Sequence, residues 1–246
     1  MPLFKTTFFS NQILENVDMN IYIPDAYAAE YSNLDVVLLL HGMCGSENEW
    51  IKTGNIIRTA DECKIIAVMP RLNNSFGINM ISGYNAEEYI IGEVYEFSHK
   101  WLGLNREKEK NIIAGLSMGG YIALNLGLRY QNLFSHIIAL SAPVDIDDLV
   151  NVFPHNATTK RIIENAFGND DLKNNKNNLI KQVTNMKINS KIDLYCGSAD
   201  HFYNNLKMFA GILKEKNVCV KFLEDEGGHE WYYWEKYLRI YLKERA

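Results

Sequence analysis

A serine between glycines, where a buried strand is expected to turn sharply into a helix, is the strongest chemical signal in this sequence. The run Gly-Leu-Ser-Met-Gly-Gly occupies residues 115–120, directly after an apolar segment. Glycines are needed there because side chains two residues from the serine would collide with the neighbouring strand and helix. Such a turn strains Ser117 and aims its hydroxyl at the helix N-terminus, where amide groups favour developing negative charge. The pattern predicts a nucleophile; the alternative is a serine that only caps the helix.

A serine hydroxyl attacks only when a base takes its proton, so a histidine must reach Ser117. His229 follows the last predicted strand, in a Gly-Gly-His loop that can bend back over the edge of the sheet. We therefore predict His229 as the general base. The other histidines stand at a strand end, inside a helix, in an inserted segment, or directly after the predicted acid: His41, His99, His136, His155 and His201.

The imidazole must present the correct tautomer, which a carboxylate bonded to its other ring nitrogen achieves. Asp200 follows the apolar segment 192–195 by a short turn, so it ends near the same sheet edge. Asp193 lies inside that segment, and Asp225 is too close to the histidine along the chain to fold back easily. The resulting order of serine, aspartate and histidine is the order of an α/β-hydrolase, and other serine hydrolases order the three differently.

An oxyanion hole is the fourth element that this chemistry requires. One donor is the amide of the residue after the nucleophile, here Met118, and the other comes from the loop after an earlier strand. The run His-Gly-Met-Cys-Gly at 41–45 is such a loop, and its first glycine lets the backbone turn an amide toward the site. We predict Met43 as the second donor, with Cys44 as the alternative. The other interpretation of this segment is a plain glycine turn without a catalytic role.

These residues require an open, mostly parallel sheet, because the carboxyl ends of parallel strands share one edge, where ligands bind. Continuous apolar runs predict buried parallel strands with helices on both faces. The predicted strands are 36–40, 65–69, 112–114, 137–140, 192–195 and 218–223, and the predicted helices are 47–60, 86–101, 118–130, 203–216 and 231–243. Ser46 and Glu49 have the spacing of a capping box for the first helix. The prediction is a single α/β domain over residues 1–246.

Two further segments complete the expected architecture. Alternating polar and apolar residues over 18–23 predict an antiparallel hairpin with 5–10 at one edge of the sheet. The stretch 145–190 is rich in Asn and Lys and breaks the strand-helix alternation. We expect it to form a small helical cap inserted in the domain, with few apolar anchors in its polar middle, around Asn174 and Asn175.

Composition excludes several classes of function. The 25 basic and 30 acidic residues give a net charge of -5 without a basic, aromatic-rich cluster, so nucleic acid is not an expected partner. Apolar runs such as 36–40 are too short to span a bilayer, and residues 1–5 lack the apolar stretch of a secretory signal, which predicts a cytoplasmic protein without membrane contact.

The cysteines predict neither disulfides nor a metal site, because they are widely separated and lack the paired spacing of zinc ligands. We expect reduced, mostly buried thiols, no metal and no cofactor. The four are Cys44, Cys63, Cys196 and Cys219.

Four segments together resemble the esterase D, tributyrin esterase and feruloyl esterase group of α/β-hydrolases, which also includes acetyl esterases and S-formylglutathione hydrolase. They are residues 41–50, 114–121, 196–200 and 227–234, and the similarity extends over nearly the whole chain apart from 145–190. The resemblance implies hydrolysis of small or medium acyl esters without a cofactor, and a homo-oligomer. The alternatives are a thioesterase such as S-formylglutathione hydrolase, a non-catalytic binding module, and, with less support, a peptidase.

Overall fold

A single mixed sheet forms the centre of the computed structural model, which describes residues 2–25, 31–152, 156–169 and 175–245. Its strands lie in the order β1-β2-β4-β3-β5-β6-β7-β8. The first two strands and β4 pair antiparallel, and β3 to β8 pair parallel. The strands are β1 (Leu3–Ser10), β2 (Glu15–Tyr22), β3 (Asp35–Leu40), β4 (Ile65–Pro70), β5 (Asn111–Leu116), β6 (His136–Leu140), β7 (Lys191–Gly197) and β8 (Val220–Asp225). The predicted parallel sheet with an N-terminal antiparallel hairpin is confirmed.

Helices cover both faces of this sheet. They are α1 (Glu49–Lys52), α2 (Ile56–Cys63), α3 (Ala86–Glu88), α4 (Glu96–Trp101), α5 (Met118–Arg129), α6 (Ile146–Val152), α7 (Ala157–Phe167), α8 (Leu179–Asn185), α9 (Tyr203–Glu215) and α10 (Trp231–Lys243). A π-helical stretch, Tyr89–Tyr95, joins α3 to α4. Side chains of β3 alternate between two cores, with Leu38 and Leu40 in one and Val37 and Leu39 in the other. A strand buried on both faces must be apolar throughout, which explains the continuous apolar runs.

The helix predicted over 47–60 is divided into α1 and α2. Gly54 lies against the rings of Trp50 and Trp231 without room for a side chain, and Asn55 adopts a left-handed conformation with φ 46°. The capping box is also absent, since the Ser46 hydroxyl accepts a 3.3 Å bond from the Asn48 amide and not from that of Glu49. Aromatic packing therefore overrides the local helix signal here.

The segment 145–190 contains α6, α7 and α8, and its described parts are better anchored than expected. Leu149, Ile163, Phe167 and Leu179 are buried in the larger core. Two of its asparagines cap helices: Asn156 accepts a 3.0 Å bond from the Thr159 amide at the start of α7, and Asn178 caps α8 in the same way. Residues 153–155 and 170–174, which include His155 and Asn174, lie outside the described residues.

The cysteines are free, as predicted, but only Cys63 and Cys196 are buried. Cys44 and Cys219 are exposed because one stands in a surface loop and the other just before the outermost strand. Within the described ranges, no helix has the length and apolar character needed to cross a membrane.

Candidate active site

The turn between β5 and α5 places Ser117 in a strained position. Its φ and ψ are 51° and -121°, a conformation that residues with a side chain seldom adopt. A Cβ on Gly115 would collide with the backbone of Gly119, and one on Gly119 would collide with the carbonyl of Leu40. The Ser117 amide donates a 2.8 Å bond to the carbonyl of Leu140, at the end of β6. The two glycines permit the turn, and the bond to β6 fixes it.

His229 and Asp200 meet this serine in an unbroken hydrogen-bonded chain. The Ser117 hydroxyl donates to His229 Nε2 at 3.0 Å, and His229 Nδ1 donates to Asp200 Oδ2 at 2.9 Å. The loops that carry the two partners hold each other, because the Ala199 amide donates a 3.0 Å bond to the carbonyl of Gly227. The structure thus brings together the three side chains that the sequence singled out, although they are far apart along the chain.

Asp200 is buried yet stays ionised. Burial alone would raise its pKa, but the hydrogen bonds from the imidazole of His229 and from the Phe202 amide outweigh it and hold the pKa below the ordinary value. The Phe202 amide reaches Oδ1 at 3.0 Å, leaving Oδ2 for the imidazole. An ionised carboxylate can stabilise the imidazolium that forms when His229 takes a proton.

The loop after β3 distinguishes between the two candidate oxyanion donors. The Cys44 amide is already used, since it donates a 2.8 Å bond to the side-chain oxygen of Asn74. Within the described part of the chain, the amides of Met43 and Met118 have no hydrogen-bond acceptor. Both residues line the cavity in front of Ser117. This arrangement favours Met43 over Cys44 as the second donor.

His41 stabilises the same loop and takes no part in the chain to Ser117. Its Nδ1 donates a 2.7 Å bond to the carbonyl of Gly42, and its Nε2 accepts a 2.9 Å bond from the Leu72 amide. Burial lowers the pKa of His41 to about 4, so the ring is neutral at pH 7.

The remaining ionisable candidates are engaged elsewhere. His136 bonds Asp193 at 2.7 Å at the opposite end of the sheet, and His99 bonds Asn111. Asp225 pairs with Lys236 at 2.7 Å. His201 is exposed, with its ring centroid 6.3 Å from that of His229.

A cavity of about 480 Å³ opens in front of Ser117. Most of its wall is apolar or aromatic, and Glu49 and His201 add polar groups. Trp231 and Trp234 both line the cavity, and their rings also pack against each other. Its remaining lining residues are Gly42, Met43, Cys44, Gly45, Phe76, Leu116, Met118, Leu149, Phe202 and His229.

Two contacts in this site were not predictable from the sequence. The Ser141 hydroxyl accepts a 2.9 Å bond from the indole of Trp234, and the Asn74 side-chain oxygen accepts one from the Cys44 amide. Neither Ser141 nor Asn74 belongs to a motif. Within the described ranges, no group of three or more His, Cys, Asp or Glu residues could hold a metal ion.

The sheet order and the serine at a strained strand-to-helix turn define an α/β-hydrolase. The family model described as "Putative esterase" matches residues 10–243, and the chain belongs to this family. The acetyl esterase of Caldicellulosiruptor saccharolyticus is 28% identical over 97% of this chain and 96% of its own length. The predicted resemblance to the esterase group is confirmed.

Solved structures agree over almost the whole chain. The fluorophosphonate-binding serine hydrolase F of Staphylococcus aureus, solved with substrate bound, superposes with a TM-score of 0.88 at 26% identity, covering 99% of this chain and 98% of that one. The S-formylglutathione hydrolase of the same organism gives 0.83 at 25% identity, with coverage of 99% and 98%. Together these comparisons make the chain a serine hydrolase of ester bonds, as predicted.

Proposed function

We propose that this chain is a serine carboxylesterase that hydrolyses esters of small or medium acyl groups through an acyl-enzyme intermediate. Ser117 is the nucleophile, His229 the general base and Asp200 the acid that orients it. The observation that carries the proposal is the hydrogen-bonded chain of 3.0 and 2.9 Å from Ser117 through His229 to Asp200. It lies at the wall of a cavity large enough for a small ester.

In the first half of the reaction, the Ser117 oxygen attacks the ester carbonyl while His229 Nε2 takes its proton. The carbonyl oxygen becomes an oxyanion, to which the Met43 and Met118 amides donate. Each such donor contributes roughly 3 to 4 kcal/mol to lowering the barrier. The imidazolium then protonates the departing alcohol, and the acyl group stays on Ser117.

The second half reverses these roles with water. His229 takes a proton from a water molecule, which attacks the acyl-enzyme carbonyl and forms a second oxyanion in the same hole. Collapse of that intermediate releases the carboxylic acid and returns the proton to Ser117. Asp200, kept ionised by its hydrogen bonds, stabilises the imidazolium in both halves.

Phe76 and Leu149 support the preference for short acyl groups. Both line the cavity, and Leu149 belongs to α6 of the segment 145–190, which we propose to act as a cap. Phe76 is held in turn by Phe167 of α7, with ring centroids 5.0 Å apart. Because the rings of Phe76 and Phe167 pack against each other, this wall of the cavity does not easily move aside for a long acyl chain.

A thioesterase of the S-formylglutathione hydrolase type is the second candidate, because a structure of that activity covers 99% of this chain. The same triad would serve both reactions. Comparing kcat/KM for p-nitrophenyl acetate with that for S-formylglutathione separates the two. Faster turnover of the thioester would replace the carboxylesterase proposal.

The triad itself is tested with a fluorophosphonate probe. Wild-type protein should carry one adduct, on Ser117, and lose its activity on p-nitrophenyl acetate. Ser117→Ala should lose labelling and activity while keeping the far-ultraviolet spectrum and Tm of wild type, since the hydroxyl supports no core. Retention of a tenth of wild-type activity by the pure variant would rule out Ser117 as the nucleophile.

A cytoplasmic location, a homo-oligomer, and the absence of nucleic-acid, membrane and cofactor partners stay predictions from the sequence.

A further inference from the structure

The cavity at Ser117 lies where the two cores of the protein meet. Leu116 belongs to the smaller core and Met118 to the larger one, so the nucleophile stands between the two faces of the sheet. Phe76 and Leu149, which were assigned above to the acyl side, belong to the larger core. An ester extends in two directions from its carbonyl carbon. The wall that belongs to the smaller core is therefore left for the alcohol.

Two tryptophans and one carboxylate form this alcohol wall, which consists of Glu49, Trp231 and Trp234. Trp234 is buried in the smaller core. Trp231 packs against it at an interplanar angle of 75°, with ring centroids 5.6 Å apart, and stays half-buried. Part of the Trp231 ring system is thus open to the cavity. The π-electrons of an indole attract a cation more strongly than those of any other side chain.

Glu49 supplies the charge of this wall. Its stem lies over Gly45, because a Cβ on that glycine would be only 3.0 Å from Glu49 Cγ. Within the described part of the chain, the half-buried carboxylate has neither a hydrogen bond nor an ion pair. Among the described residues that line the cavity, none is a lysine or an arginine, and Lys52, one turn further along α1, is exposed and outside this lining. A positive charge on the substrate would meet a carboxylate without a competing partner.

We propose that Glu49 is a specificity-determining residue that, together with Trp231, makes the enzyme prefer esters whose alcohol carries a positive charge, such as a quaternary ammonium group. The proposal rests on the carboxylesterase function proposed above. A carboxylate and an open aromatic ring attract such a cation together. The net charge of -5 acts in the same direction during the approach of the substrate. By the same reasoning, leaving groups with a net negative charge, such as glutathione, are disfavoured.

A pair of acetate esters with the same shape tests this preference. Acetylcholine carries a quaternary nitrogen where neutral 3,3-dimethylbutyl acetate carries a carbon atom. The acid released from each ester is titrated at low salt, and the ratio of the two kcat/KM values is determined for wild type, Glu49→Gln and Glu49→Lys. Glu107→Gln is the matched control, because it changes the net charge equally at an exposed position just before β5, at the opposite end of the sheet.

Wild type should favour acetylcholine roughly tenfold, about fivefold from the carboxylate and about twofold from the indole. The ratio should fall to about two in Glu49→Gln and below one in Glu49→Lys, and it should keep its wild-type value in Glu107→Gln. A general loss of activity or of folded protein cancels, since each ratio is taken within one protein. Salt at about 0.5 M should lower the wild-type ratio toward that of Glu49→Gln, because it screens the charge.

A ratio near one in wild type would overturn the proposal, as would a wild-type ratio that survives in Glu49→Gln. Higher kcat/KM for an acetylated sugar, such as xylose tetraacetate, than for acetylcholine would also overturn it, because the wall would then recognise a polyhydroxy alcohol. Failure of wild-type protein to label at Ser117 and to hydrolyse p-nitrophenyl acetate would instead contradict the proposed function. The two failures are therefore distinguishable.

Discussion

The buried His41 makes the stability of this protein sensitive to mildly acidic pH. Its ring is only 1% exposed, and it accepts a hydrogen bond from the Leu72 amide at Nε2. Protonation of the ring at Nε2 would place an N–H group against the Leu72 N–H, and this hydrogen bond would be lost. Replacing His41 by a side chain that does not titrate should therefore remove its contribution to the pH dependence of the free energy of unfolding. His41→Gln is the natural choice, since an amide can both donate to Gly42 and accept from Leu72.

The magnitude follows from the pKa. Burial lowers the pKa of His41 from 6.5 to about 4, so the unfolded chain takes up a proton that the folded chain does not bind. Where the unfolded state binds more protons, stability rises with pH. The contribution of His41 is thus fully present above about pH 6.5 and is lost as the pH falls toward 4. At about pH 4.5 the loss relative to about pH 7 amounts to ~2 kcal/mol.

Urea denaturation of wild type and His41→Gln at these two pH values measures this quantity. The variant is expected to be less stable at about pH 7, because its amide fits the ring's site imperfectly. Its further loss on acidification should be about 2 kcal/mol smaller than that of wild type, since the carboxylates, His99 and His136 titrate alike in both proteins. Equal losses in the two proteins would refute the assignment of His41 as a buried neutral ring.

The remaining predictions concern the oxyanion loop and the cavity. Asn74→Ala removes the acceptor of the Cys44 amide and should lower kcat for p-nitrophenyl acetate roughly tenfold, which is part of the rate enhancement that one oxyanion donor supplies. Asn74→Asp keeps an acceptor and should retain most of the wild-type kcat. Equal losses of kcat in the two variants would contradict the role of this bond. Acetyl to butyryl p-nitrophenyl esters should be the best substrates, and chains of about ten carbons should be poor, since each methylene left in water forfeits roughly 0.8 kcal/mol. Leu149→Ala should extend the accepted chain length with little change in acetate hydrolysis; palmitoyl esters as best substrates would refute this view of the cavity.

The fold was predictable because its signals are local and repeated. The apolar run of β3 feeds two cores at once, and only a strand covered on both faces needs such a run. The turn at Ser117 was equally predictable, since a serine flanked by glycines between a strand and a helix is typical of a nucleophile turn. Once the strand order was set, His229 and Asp200 had to emerge at the same edge of the sheet.

The residues that support the site were not predictable, because no local sequence pattern marks them. Ser141 has no sequence signature, and it meets its hydrogen-bond partner Trp234, which is 93 residues away along the chain, only in the folded protein. Asn74 stands 30 residues from the amide that it holds. The break between α1 and α2 likewise depends on Trp231 packing against Gly54 from a distant helix. Contacts of this kind exist only after folding.

Two consecutive residues at the end of β6 connect the strands that carry the nucleophile and the acid. The Leu140 carbonyl accepts a 2.8 Å bond from the Ser117 amide after β5, and the Ser141 amide donates a 2.7 Å bond to the carbonyl of Tyr195 on β7, the strand that leads to Asp200. The separation of nucleophile and acid is therefore set largely by the hydrogen-bonded neighbours β5, β6 and β7, and less by the loops that carry the acid and the base. Rigid strands hold such distances better than loops do, and a reaction that needs alignment within a fraction of an ångström benefits from that rigidity.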